Sequence, residues 1–262
     1  MPRHSTGQAL GTLVHAECRA VIAALRGRKA IHTRVHEARK AIRRTRALLA
    51  LAEDGDAPFD TGPADRILQR VGDSLSKLRD AHAAIETAQA VGKQTQPKRW
   101  RQVVEALRQR SAELVAYELE RDPGLARRAT TVEGALHYLD QLPWAELTAT
   151  QIREGLQRQR RRVERAARRA SKHPDAERLH AWRRKVRRLR MQVEALPKLK
   201  PHWSKATSST PKSKSLHKLS DALGREQDLQ VLASLLRRLP DIEGRKALRE
   251  TLAALAKSEA PA

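Results

Sequence analysis

A single cysteine, a single phenylalanine, two tyrosines and four tryptophans in 262 residues exclude several kinds of chemistry at the outset. One thiol, Cys18, makes neither an intramolecular disulfide nor a cysteine-based metal cluster, and it reads as a small packed side chain in a reducing compartment. Aromatic residues are 3% of the chain, which leaves few platforms on which nucleobases could stack and leans away from a single-strand nucleic-acid reader. Carboxylates are scarce relative to cations: 30 Asp and Glu face 53 Lys and Arg, for a formal charge of +23. Such an imbalance opposes compaction unless an anion is close by, so the expected partner is acidic. The stretch Met1 to Ala20 has no signal-like apolar core, and no apolar run is long enough to span a bilayer; the expectation is a cytoplasmic protein without membrane contact.

What is present is helical periodicity. Apolar residues recur three and four apart almost throughout, and β-branched alternating runs are missing, so the chain is expected to be all-α. Gly and Pro clusters delimit helices over 6–26, 29–52, 64–91, 98–121, 131–141, 149–171, 176–195, 215–239 and 243–258. Lys198 to Ser215, rich in Lys, Ser, Thr and Pro, reads as a flexible basic loop able to close over a ligand.

An internal repeat organises these helices. Val35-His36-Glu-Ala-Arg39-Lys40-Ala-Ile42-Arg43-Arg44-Thr-Arg46 returns 144 residues later as Leu179-His180-Ala-Trp-Arg183-Arg184-Lys-Val186-Arg187-Arg188-Leu-Arg190. A second pair follows at an offset of 148: Arg66, Arg70, Asp73, Lys77 and Asp80 match Lys214, Lys218, Asp221, Arg225 and Asp228. Two ordered matches at nearly one offset imply a single domain over 1–262 made of half-repeats 1–125 and 148–262 joined by a bridging segment, 126–147. Four helices in each half then give two four-helix bundles related by a pseudo-twofold axis.

At 100° per residue, His36, Arg39, Lys40, Arg43 and Arg46 share about a third of the helix circumference, and Val35, Ala38, Ile42, Thr45 and Leu49 take another sector. One face packs while its neighbour collects cations. Arginine suits phosphate because its planar fork makes bidentate, charge-assisted hydrogen bonds at any relevant pH. A lone charged run is usually a solvated face; a histidine and five bases kept in register twice favour a bound polyanion. His36 and His180 fit direct ligand contact and a half-buried structural role about equally. The i, i+4 pair His32 and His36 is not expected to hold a metal, since position 176 in the second copy is Ala and the surrounding arginines repel cations. Asp73, Asp80, Asp221 and Asp228 are expected to orient the cations rather than to catalyse.

These two copies of His-x-x-Arg-x-x-x-Arg-Arg-x-Arg, with the helices ending Leu75-Ser-Lys-Leu-Arg79-Asp80 and Leu223-Gly-Arg-Glu-Gln227-Asp228, resemble the CHAD family, the conserved histidine α-helical domain, over nearly the whole chain. The resemblance implies two helical bundles around a basic central groove or pore that binds inorganic polyphosphate, in proteins often found at polyphosphate granules. Carried over residue by residue, the implied ligand contacts are His36, Arg39, Lys40, Arg43, Arg44, Arg46, Arg66, Arg70, Lys77, His180, Arg183, Arg184, Arg187, Arg188, Arg190, Lys214, Lys218 and Arg225. Gln227 departs from Arg79 of the first copy, so the two half-sites are not strictly equivalent. The Glu-x-Glu-x-Lys signature of the triphosphate tunnel domain often attached to such proteins is missing, so neither an enzyme nor a cofactor is expected. Nonspecific binding to a DNA or RNA backbone, driven by the same counterion release, is the competing expectation.

Overall fold

The computed structural model describes residues 5–53, 59–173, 175–199 and 213–259, and these contain helices without a strand. In chain order they are α1 (Thr6–Arg26), α2 (Ile31–Ala52), α3 (Gly62–Ser74), α4 (Ser76–Gln94), α5 (Pro97–Arg121), a short 3₁₀ turn (Pro123–Leu125), α6 (Ala126–Asp140), α7 (Ala149–Lys172), α8 (Ala176–Leu199), α9 (Ser213–Leu236) and α10 (Arg245–Glu259). The all-α class is therefore established. The expected loop 198–215 falls largely outside the described residues, although α8 runs through Pro197 as far as Leu199.

Two of the differences from the expected boundaries have a visible local cause. The helix expected over 64–91 is broken at Leu75, between α3 and α4. Arg39 of α2 donates to the Gly72 carbonyl there, and the Ser74 hydroxyl donates to Val71 O at 2.8 Å. Side chains thus occupy carbonyls that bear on the next turn of the ladder. The helix expected from residue 131 begins at Ala126 instead, behind a left-handed pair, Gly124 (φ 61°) and Leu125 (φ 59°). A leucine in that region is disfavoured on its own; complete burial of its side chain compensates.

The chain divides into two compact units, each assembled from both sequence halves. Residues 1–75 and 124–218 form the first, in which α2 packs against α1, α3, α7 and α8, and α6 closes against α1 and α3. Its core is aliphatic, with Leu10, Leu25, Leu49, Leu51, Leu68, Ile152 and Leu189 fully buried. Glycine permits a close helix contact: a Cβ on Gly155 of α7 would lie 2.2 Å from the Leu51 carbonyl oxygen of α2. Trp144, before α7, lies over Gly11, meets Phe59 edge-on at 4.9 Å and donates from Nε1 to Leu139 O at 2.8 Å.

Residues 76–123 and 219–262 form the second unit. Trp100 and Leu107 of α5 join Ile85 and Val91 of α4, Leu232 and Leu236 of α9, and Leu248 of α10 in one buried cluster. Gln102 clamps the turn between α9 and α10, donating to Asp241 O at 2.6 Å and accepting from Glu243 N at 3.1 Å.

Both first helices of the duplicated halves open with the same cap. Ser5 Oγ accepts from Gln8 N at 3.1 Å and Gln8 Oε1 accepts from Ser5 N at 2.9 Å. Thr148 and Gln151 repeat this capping box, at 3.3 and 2.9 Å.

Candidate anion-binding site

The duplicated cationic helices, α2 and α8, are direct neighbours in the first unit. Val35, Ala38 and Ile42 of α2 and Val186 and Leu189 of α8 are buried, and a polar contact joins the two helices. Gln192 of α8, fully buried, donates from Nε2 to Ala47 O of α2 at 2.8 Å. The sector that periodicity assigned to packing does pack, so the cations are left to the remaining circumference.

That circumference is not one stripe. On α8, His180, Arg183, Arg187 and Arg190 lie on one sector, while Arg184 and Arg188 lie about 100° around the axis. His180, Arg183 and Arg187 are half-buried, and Arg190 Nη1 meets His217 Nδ1 of α9. On α2, His36 and Lys40 are exposed while Arg39, Arg43, Arg44 and Arg46 are half-buried. Arg66 and Arg70 of α3, and Lys214 and Lys218 at the start of α9, are exposed residues of the same unit, as is Asp73. Lys77, Asp80, Asp221, Arg225 and Asp228 belong to the second unit, where only Asp228 is half-buried.

Carboxylates that sequence reasoning did not select hold several of the motif arginines. Arg46 makes a two-pronged pair with Asp65 of α3, Nε to Oδ1 at 2.8 Å and Nη2 to Oδ2 at 2.9 Å, and adds Gln69 Oε1 at 3.1 Å. Arg44 Nη2 reaches Glu17 Oε2 of α1 at 2.7 Å. Asp65 sits in the first turn of α3, a position that favours an acid for capping reasons and so conceals its second role.

Arg188 occupies the register of Arg44 but has different company. It lines two adjoining cavities together with Arg46 of α2 and Arg162 of α7. Arg162 pairs with Glu53 Oε2 at 3.4 Å and Arg46 with Asp65, so three guanidinium groups share two carboxylates. Burial, then the proximity of Arg46, holds the Arg188 guanidinium below its ordinary value, with Asp65 pulling upward, Arg162 downward and Glu53 upward. One residue from each copy of the motif, Arg46 and Arg188, thus converges on one spot.

Among the described residues no group of three or more His, Cys, Asp and Glu is placed to hold a metal ion, and no helix is long and apolar enough to cross a membrane.

The fold and this pair of helices define the class first: an all-helical domain built around two adjacent copies of one basic helix. The family model "CHAD domain" matches residues 10–237, and the chain belongs to the CHAD family. In three dimensions it is similar to the crystal structure of the CHAD domain from the plant Ricinus communis, with a TM-score of 0.64 at 20% identity, over 98% of this chain and 88% of that one. No curated protein matches the sequence.

Proposed function

We propose that this protein binds inorganic polyphosphate without chemical turnover, gripping the chain with the cations of α2 and α8. The observation that carries this reading is the side-by-side packing of the two motif helices, which brings Arg46 of one copy and Arg188 of the other to a common cavity wall. Phosphate residues along a linear polymer carry about one charge each, and a helix presents cations three or four residues apart at roughly 5 Å per turn. A ladder of guanidinium forks matches such a chain better than isolated lysines would, because each fork can take two oxygens of one phosphate. The family associated with this motif is linked to polyphosphate in general, which supports the same ligand.

Catalysis forms no part of the proposal. Hydrolysing a phosphoanhydride calls for metal-holding carboxylates beside the scissile bond, whereas the acids paired with motif arginines, Asp65, Glu17 and Glu194, are engaged with Arg46, Arg44 and Arg190. In a cell, binding of this kind would concentrate the protein at polyphosphate granules.

Competition titrations test the reading. Labelled long-chain polyphosphate should resist displacement by single-stranded DNA of equal charge as salt rises, whereas equal displacement would make the protein a generic polyanion binder. Release of orthophosphate during incubation with Mg²⁺ would replace binding with catalysis.

A further inference from the structure

The second copy of the motif places a lysine where the first keeps a buried alanine. Lys185 of α8 holds the register of Ala41 in α2, 144 residues earlier; Ala41 is buried, whereas Lys185 is half-buried beside α7. Gln159 of α7, itself buried, donates from Nε2 to the Lys185 carbonyl at 3.1 Å and fixes this turn of α8 against α7. Lys185 lines a cavity of about 970 Å³ and is the one lysine among the lining residues. We propose that Lys185 is a modification site, its amine accepting the acyl group of a small acyl phosphate held by the neighbouring guanidinium groups. Lys185 stands outside the ligand contacts of the polyphosphate reading, which enters here only through the attraction of those guanidinium groups for phosphate.

Four cations act on the amine, Arg184 and Arg188 from α8 and Arg162 and Arg169 from α7, and Lys185 has no carboxylate partner among the described residues. Burial first, and then these charges, hold Lys185 below its ordinary value, so more of it is neutral amine near pH 7 than of an exposed lysine. The two acids in the lining do not cancel this. Asp175 is engaged at the start of α8, pairing with Arg178 Nη1 at 2.8 Å and accepting from Arg178 N at 2.7 Å. Glu177 is exposed and precedes Lys185 by eight residues, about 12 Å along the helix axis. The arginines themselves cannot compete for an acyl group, because a guanidinium stays protonated at any relevant pH. A lysine desolvated beside other cations is the side chain of this wall that chemistry activates as a nucleophile.

An acyl phosphate fits this setting because it brings its own anion and its own leaving group. The ammonium first loses a proton to water. Nζ then attacks the acyl carbon, the C–N bond forms as the bond from that carbon to the phosphate oxygen breaks, and inorganic phosphate departs with the electron pair. The proton left on nitrogen passes to the departing phosphate. Guanidinium forks hold the phosphoryl oxygens through charge-assisted hydrogen bonds and stabilise the charge that grows on the leaving group. Holding the reagent also replaces a chance encounter with an attack at close range. The amide formed is uncharged, so acylation removes one cation from the wall and its repulsion with four arginines.

Incubation of the full chain with acetyl phosphate, followed by peptide mass spectrometry, tests this. Lys185 should be acetylated at least about tenfold faster than the exposed Lys93 and Lys98, the lead expected of a held reagent over a free one. Acetic anhydride, which offers no phosphate to hold, should reduce that lead to about threefold or less. Inorganic phosphate added with acetyl phosphate should slow Lys185 alone, and Arg169→Gln, an exposed change on α7, should slow it by at least about threefold. The lead should widen as pH falls from about 9 to about 7, where exposed lysines are almost wholly protonated. Equal rates at the three lysines, or a lead that acetic anhydride reproduces in full, would overturn the assignment. Long-chain polyphosphate titrated in parallel separates the two proposals. Polymer that fails to bind while Lys185 keeps its lead defeats polyphosphate binding alone, and polymer that binds while the lead is missing defeats the acylation alone.

Discussion

Arg44 and Arg188 hold the same place in the repeated motif, and their neighbours give them opposite roles. Glu17 neutralises Arg44 at 2.7 Å, whereas Arg188 shares two carboxylates with two other arginines. Arg44→Gln should therefore lower the melting temperature by leaving Glu17 unpaired, while Arg188→Gln should leave it unchanged or raise it in the absence of anions. Scanning calorimetry in dilute buffer distinguishes the two, and a large loss in Arg188→Gln would show that its charge is already satisfied. Arg187→Ala should weaken polyphosphate binding by about 1.5–3 kcal/mol if its guanidinium makes charge-assisted contacts away from bulk water; a loss below about 0.5 kcal/mol would place it in open solvent. Cys18 is governed by burial, which pushes its thiol up to about 12, with Thr45 donating a partial offset and Glu17 adding to the rise. Below its ordinary value of 9.0 the thiol is neutral folded or unfolded and its contribution is complete; between 9.0 and about 12 only the unfolded chain ionises, so stability falls as pH rises through that window. Thiol reagents should accordingly fail to label Cys18 at pH 8 until denaturant is added, and rapid native labelling would contradict its burial.

Helix α7 depends on a single small residue where it meets α2. The Cβ of Gly155→Ala would come 2.2 Å from a backbone oxygen of α2, which cannot swing aside as a side chain would. The variant should lose on the order of 1–3 kcal/mol or more to overpacking, measurable by urea unfolding. Gln192→Ala, at the α2 and α8 seam, should cost about 2–4 kcal/mol through the cavity and the lost bond to Ala47 O. The sequence already displayed the periodicity of both helices and the repeat that links them, and it placed α1 and α5 within a residue of their observed ends. It could not display the break at Leu75, because the cause is Arg39, which lies 33 residues away from Gly72. Nor could it display Asp65 as the partner of Arg46, since pairing across α2 and α3 is a tertiary fact. At the motif's offset of 144, the arginines of α7 have no counterparts in α1, so the repeat does not mark them. The asymmetry itself was the available signal: one half begins with a nearly uncharged helix and the other with a densely cationic one.

At the scale of the whole molecule, a formal charge of +23 makes stability depend on the ions present. Polyphosphate should raise the melting temperature well beyond sodium chloride of equal ionic strength, because a specific ligand adds binding free energy to general screening. Equal shifts would reduce the effect to screening.

The chain also passes between its compact units three times, after Leu75, Pro123 and Lys218. On a ribosome, the emerging first half presents α2 with its apolar flank open, since α7 and α8 that cover it have yet to be made. Neither unit can finish before the last quarter of the message is translated, so the nascent protein spends most of its synthesis as an incomplete cationic intermediate, exposed to the ribosome's own RNA.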